Sequence, residues 1–236
     1  MQTDNPLLEP AYILHYRPYR ETSLLLELLT EKHGRISAIA KGARAKRSMW
    51  KGVLSLANPL LVSCVGRHDL LTLTHAELNG RPVSLQGNAL FSLFYLNELL
   101  MYLLHRFDPH PRLYAYYAQT LVAMEYATQI EIPLRFFEWM LLQELGYGLS
   151  IDKLAATGEP IDVNAHYQVD PEYGVMLPHS TVTSDRDIYT GRMLEELANY
   201  RLTDDPKILH QAKRLTRRLL DPLLGGREIM SRTLYK

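Results

Sequence analysis

Hydrophobic and polar positions follow two different rhythms along the chain. Up to about residue 80 the apolar residues come in short runs, at 12–16, 23–29, 35–40, 60–65 and 70–75. Turn signals separate them: Arg17-Pro18, Lys32-His33-Gly34, Asn58-Pro59 and Gly66. Strict alternation is clearest in Leu71-Thr72-Leu73-Thr74. Five short strands in a segment of this length predict a small β-barrel such as an OB-fold. An SH3-like barrel satisfies the same pattern.

After Gly80-Arg81-Pro82 the period becomes helical. Leu90, Leu93, Phe94, Asn97, Leu100, Met101 and Leu104 share one helical face, and Leu113, Tyr117, Leu121 and Met124 another. Pro133 opens a third helix through Phe136, Phe137, Met140 and Leu141, which Gly146 and Gly148 stop. Residues 154–179 read as loop, with a hairpin at 167–169 and 175–177, and the last helices cover 190–200 and 206–220. The expected fold class is α+β: an OB-fold domain at 1–81, then a mainly helical domain at 82–236 with a loop and hairpin insertion at 149–180.

Composition narrows the class. Hydrophobic content of 47% with 22% charged residues is that of a folded globular chain. A single cysteine, Cys64, excludes an intramolecular disulfide and a Cys-rich zinc site, and fits a reducing cytosol. The first ten residues have neither the basic nor the apolar region of a secretion signal, so a cytoplasmic location is expected. The most apolar segment, 91–104, is interrupted by Asn97 and Glu98 and falls short of the roughly 18 apolar residues of a membrane helix.

Net charge is zero, but the charge is segregated. Residues 1–81 carry +4, residues 82–206 carry −10 and residues 207–236 carry +6. Residues 32–51 hold seven basic side chains and no acid: Lys32, Arg35, Lys41, Arg44, Lys46, Arg47 and Lys51. Such a stretch releases condensed counterions from a polyanion, and small residues around Gly42 let backbone approach phosphates. Trp50 follows directly; it either stacks on bases or belongs to the barrel core. In the last helix Arg214, Arg217 and Arg218 lie off the apolar stripe of Ile208, Ala212, Leu215 and Leu219, forming either a second polyanion face or an ordinary charged exterior. Arg135 beside Phe136 has the composition of a site for a carboxylate with an apolar neighbour.

Catalytic signatures are missing. The segment after Gly42 lacks the second glycine and the Gly-Lys-Ser/Thr end of a phosphate-binding loop, and there is no G-x-G-x-x-G, G-x-S-x-G or H-E-x-x-H. His105 and His110 have only Asp108 nearby. The residues therefore point to a non-enzymatic binding protein without metal or cofactor. Three other readings satisfy the same residues: an RNA-binding OB-fold factor, an enzyme built from scattered polar groups, and a non-catalytic adaptor for acidic protein tails.

The order of several segments is similar to that of the DNA repair protein RecO family. These are His15-Tyr-Arg-Pro-Tyr-Arg-Glu-Thr-Ser23, His33-Gly-Arg35, Lys41-Gly-Ala-Arg-Ala-Lys-Arg-Ser48, Tyr95-Leu-Asn-Glu-Leu-Leu100, Phe137-Glu-Trp-Met-Leu-Leu-Gln-Glu-Leu-Gly-Tyr-Gly148, Gly158-Glu-Pro160, Leu223-Leu-Gly-Gly226 and Ser231-Arg232. The resemblance implies an OB-fold followed by a helical domain. It implies a recombination mediator in DNA damage repair that binds single- and double-stranded DNA and anneals complementary strands. It also implies contact with RecR and with the acidic, Phe-ending tail of single-stranded DNA-binding protein, so that RecA replaces that protein on DNA. Many relatives carry a four-cysteine zinc site after the Gly-Tyr-Gly segment. Here residues 149–160 contain no cysteine, which places the chain with a zinc-less subgroup whose loop is held by packing and hydrogen bonds.

Overall fold

The computed structural model describes residues 8–67, 69–178 and 187–234. Five strands, β1 (Glu9–Tyr19), β2 (Ser23–Thr30), β3 (Gly34–Ala40), β4 (Leu60–Val65) and β5 (Leu70–Leu78), close a barrel in the order β1-β2-β3-β5-β4. β1 reaches both neighbours because it is long. Its start pairs with β4 from Glu9↔Val62 to Ala11↔Leu60, and the rest pairs with β2 through a bulge between Ile13 and His15. β3 and β5 close the barrel in parallel, Ser37↔Leu70 to Ile39↔Thr72. This order is OB-like.

Inward residues such as Ile13, Leu26, Leu28, Ile36, Ala38, Leu60, Val62 and Leu73 fill the barrel. β2 reads as an almost unbroken apolar run because its outer face is covered as well. Helices α1 (Asn88–Leu103) and α2 (Pro111–Tyr126) belong to the same compact unit as the barrel, Met1–Tyr126 with Ile229–Lys236. Asn97 donates to the Leu14 carbonyl at 2.9 Å and accepts from the Tyr117 hydroxyl at 2.6 Å. The Tyr12 ring lies 5.6 Å from that of Tyr114 and 5.2 Å from that of Tyr117. Burial pushes the Tyr117 hydroxyl pKa up, so it stays a proton donor here. A 3-10 turn, Met230–Leu234, returns to α1, where Glu98 accepts from the backbone N–H groups of Met230 and Ser231. Composition breaks near residue 81, whereas packing breaks after Tyr126.

The second unit, Ala127–Glu228, contains α3 (Glu131–Glu144), a small sheet of β6 (His166–Asp170), β7 (Gly174–Met176) and β8 (Ile188–Thr190), α4 (Gly191–Ala198) and α5 (Pro206–Leu223). β6 is central, between β7 and β8. α5 starts where Asp205 accepts from the Lys207 N–H and Pro206 takes the first turn. Its apolar stripe, Ile208, Ala212, Leu215 and Leu219, is buried. The cysteine-free loop is tied by main-chain bonds from Leu154 to Glu159, Gly158 to Leu154, Ala155 to Val175 and Ile161 to Asp152.

Candidate nucleic-acid interface

Two connections of the barrel meet at one end. β1 and β2 close as a hairpin at Tyr19↔Ser23, and β3 ends beside them at Leu24↔Ala40, so the β3–β4 loop leaves from the same rim. Arg20 sits at φ 51, with its guanidinium over the Tyr19 ring at 5.3 Å. The loop docks on this tip through Arg44: its N–H donates to the Thr22 carbonyl at 2.7 Å and its Nη1 to the Arg20 carbonyl at 3.3 Å.

The loop itself is a chain of turns. Ala45 donates to Gly42, Ser48 to Ala45, Lys51 to Ser48 and Val53 to Trp50. Trp50 pins it: the side chain is 6% exposed in the barrel core and its Nε1 donates to the Lys41 carbonyl at 3.1 Å. Trp50 is therefore the anchor of the loop and no stacking platform. Around it Lys41, Arg44, Lys46, Arg47 and Lys51 are all exposed, as are Arg17 and Arg20 of the hairpin. Among the described residues none of these seven forms an ion pair, and Glu21 is the one carboxylate on either connection. A rim of fixed backbone bearing free cations suits phosphates in any sequence. Arg17 and Arg20 were not legible as members of it. They lie outside the acid-free stretch, and only the antiparallel pairing of β1 with β2 brings them to it.

Arg35 is elsewhere. It lies on the covered face of β3, half-buried, and its Nη1 donates to the Met101 carbonyl at 2.7 Å, so the guanidinium is engaged at the end of α1. The α5 arginines are also largely occupied within the chain. Arg218 pairs with Asp187. Arg214 donates to the Ile188 carbonyl and stacks 4.6 Å from the Tyr189 ring centroid. Arg217 is half-buried. Nearby Lys213 bonds Glu131 at 2.8 Å; burial pushes that carboxyl up, but the Lys213 hydrogen bond and charge outweigh it and hold its pKa below the usual value. Three of the eight cations of the C-terminal segment, Lys213, Arg214 and Arg218, thus staple α5 to α3, to β8 and to Asp187.

Arg135 is 2% exposed. Its Nη2 pairs with Glu138 at 2.9 Å, and Thr216 of α5 bonds both Arg135 and Glu138. The guanidinium therefore clamps α3 to α5 and is not offered to an incoming carboxylate. Neighbouring Phe136 is half-buried against Tyr200, ring centroids 5.6 Å apart. A first-turn Arg next to Phe reads as a surface site from sequence. The signal against it was Glu138, one helical turn on.

Among the described residues no group of three or more His, Cys, Asp or Glu converges on a metal site, and no helix is long and apolar enough to cross a membrane.

Comparison with known proteins covers nearly the whole chain. The family model described as Recombination protein O N terminal matches residues 5–81, and the one described as Recombination protein O C terminal matches residues 85–233. A protein of Coxiella burnetii (strain RSA 331 / Henzerling II) named DNA repair protein RecO is 43% identical over 233 residues, 98% of this chain and 99% of its own length. A namesake from Haemophilus influenzae (strain ATCC 51907 / DSM 11121 / KW20 / Rd) is 42% identical over 228 residues, 97% of this chain and 95% of its own. Another, from Tolumonas auensis (strain DSM 9187 / NBRC 110442 / TA 4), is 42% identical over 231 residues, with 98% and 95% covered.

Proposed function

We propose that this chain, which belongs to the RecO family of DNA repair proteins, is a DNA-binding recombination mediator that anneals complementary strands and, with RecR, helps load RecA onto single-stranded DNA coated by single-stranded DNA-binding protein. The observation that carries this reading is the barrel rim, where seven exposed cations without ion-pair partners among the described residues stand on a pinned loop and a hairpin tip. Annealing makes base pairs and breaks no covalent bond, so the protein acts without catalysis. Two polyanionic strands repel, and cations that hold phosphates lower that repulsion while leaving base edges free.

Lys41, Arg44, Lys46, Arg47 and Lys51 are the main phosphate contacts, joined by Arg17 and Arg20. Arg35 drops out because its guanidinium is engaged by the Met101 carbonyl. Arg214, Arg217 and Arg218 contribute less than their charge suggests, for the reasons of occupancy above. The acidic tail of single-stranded DNA-binding protein meets the second unit at Phe136 and Tyr200, with Arg135 as a positioning residue that holds α3 in place.

The test is annealing of complementary oligonucleotides coated with single-stranded DNA-binding protein. The chain is expected to speed annealing, and an Arg44→Ala/Lys46→Ala/Arg47→Ala variant to lose most of that acceleration. No acceleration by the unaltered chain would overturn the reading. A clear preference for matched RNA over DNA would replace it with the RNA-binding one.

A further inference from the structure

Beside the rim, within the first unit, lies an apolar groove of about 760 Å³. β1 forms one wall through Leu14, His15 and Tyr16, and α1 forms another through Phe94, Met101 and Tyr102. Met230 and Leu234 of the closing 3-10 turn complete it. Three of its residues are large apolar or aromatic side chains left well exposed: Tyr16 at 45%, Met230 at 62% and Leu234 at 42%. Such a concentration on one face marks a binding surface.

We propose that this groove takes unstacked bases of single-stranded DNA whose phosphates lie on the basic rim, an assignment that rests on the DNA-binding reading above. Both chain segments of the rim lead into it. Tyr16 directly precedes Arg17 on β1, and Leu56, another lining residue, closes the turn-rich loop that carries Lys41 to Lys51. The charge of the lining selects among occupants. Among the described residues, His15 and Glu98 are its only lining residues outside the apolar, aromatic and neutral polar classes, and none is Lys or Arg. Glu98 is already satisfied, accepting from Met230 N at 2.8 Å, Ser231 N at 2.9 Å and Ser231 Oγ at 2.7 Å. Among the described lining residues an acidic peptide would find no Lys or Arg. A base needs none: its faces stack on aromatic rings and pack on thioethers, with little regard to sequence.

The experiment uses the full chain and three probes of equal length: a thymidine oligomer, the same oligomer with abasic sugars, and a duplex. The thymidine oligomer is expected to bind at least about fivefold more tightly than the abasic one at equal salt, the low end of what stacking one base supplies. Tyr16→Ala and Met230→Ala are expected each to remove most of that preference. Both should leave abasic and duplex affinity and the salt slope unchanged, whereas Tyr16→Phe keeps the preference. A 2-aminopurine in the strand should change emission on binding to the unaltered chain and not to Tyr16→Ala. Equal binding of base-bearing and abasic strands overturns the groove assignment, as does an acidic peptide that displaces the strand from it. In either case a salt slope that depends on the rim leaves the DNA reading standing. A rim triple variant with unaltered slope overturns the assignment of phosphates to the rim, and no strand binding by the unaltered chain overturns the DNA reading itself.

Discussion

Replacing Arg44, Lys46 and Arg47 together by alanine has a magnitude that can be worked from the rim. Seven exposed cations stand there, Arg17, Arg20, Lys41, Arg44, Lys46, Arg47 and Lys51. On a single strand each phosphate neutralised contributes about −0.7 to the slope of log K against log salt, so full engagement gives about −5. Between 50 and 200 mM salt affinity then falls by about a thousandfold. Removing three contacts brings the slope to about −3 and the fall to roughly fiftyfold. The fold should survive. The three side chains are exposed and only Arg44 makes a side-chain bond, to the Arg20 carbonyl, so the expected stability change is within about 0.5 kcal/mol per site. Fluorescence anisotropy of a labelled thymidine oligomer over a salt series measures the slope, and thermal unfolding checks the fold. An unchanged slope with an unchanged melting temperature would refute the assignment of phosphates to this rim.

Four further outcomes follow from other parts of the molecule. Arg218→Ala, which removes the pairing with Asp187, is expected to lower the melting temperature while changing the single-strand salt slope by less than about 0.3; a full 0.7 drop would return α5 to the DNA interface. Glu138→Ala leaves Arg135 charged and 2% exposed, so unfolding should cost about 3–5 kcal/mol less, read from denaturant midpoints, and a loss under 1 kcal/mol would contradict the clamp. Gly34 and Gly42 both sit at φ 68, but a Cβ on Gly34 would overlap the Asp108 backbone carbonyl while one on Gly42 meets open space; Gly34→Ala should therefore destabilise by at least about 1 kcal/mol more than Gly42→Ala in urea unfolding. Cys64 is pushed up to about 12 by burial, with the Glu9 charge adding to it. The thiol ionises first in the unfolded chain, so its contribution to stability is intact below about pH 8.5 and declines from there to pH 12. Cys64→Ala should flatten that decline, and native Cys64 should react slowly with iodoacetamide at pH 8.

Among the described residues the pattern of apolar runs located all five barrel strands and all five α-helices, because inward-facing period-2 and period-3.6 stripes are local facts of the chain. It missed β8, three residues long, which exists because the β6 edge from His166 to Gln168 is there to pair with it. It could not choose between an OB-like and an SH3-like barrel, since that choice is made by the parallel pairing of β3 with β5, a contact between residues over thirty positions apart. It also could not assign α1 and α2 to the barrel's own unit, which the Asn97 bonds to Leu14 and Tyr117 secure.

Charge was harder to read than hydrophobicity, for a physical reason. A stretch of cations signals a binding surface only if the cations remain unpaired after folding, and pairing is decided by what arrives from elsewhere in the chain. Among the described residues the Lys41–Lys51 loop keeps its cations out of ion pairs because its anchor is an indole: Trp50 fixes the backbone by burial and one bond to Lys41, so no carboxylate is needed to hold it. α5 had no such anchor on its charged side, and its cations were used as staples: Lys213 on Glu131, Arg214 on β8, Arg218 on Asp187. Arg135 was used in the same way, one turn from Glu138. Two segments of similar charge therefore fold into opposite roles. The acid-free one leaves its cations exposed and, among the described residues, outside ion pairs, and the one within reach of an acidic middle segment becomes part of the framework.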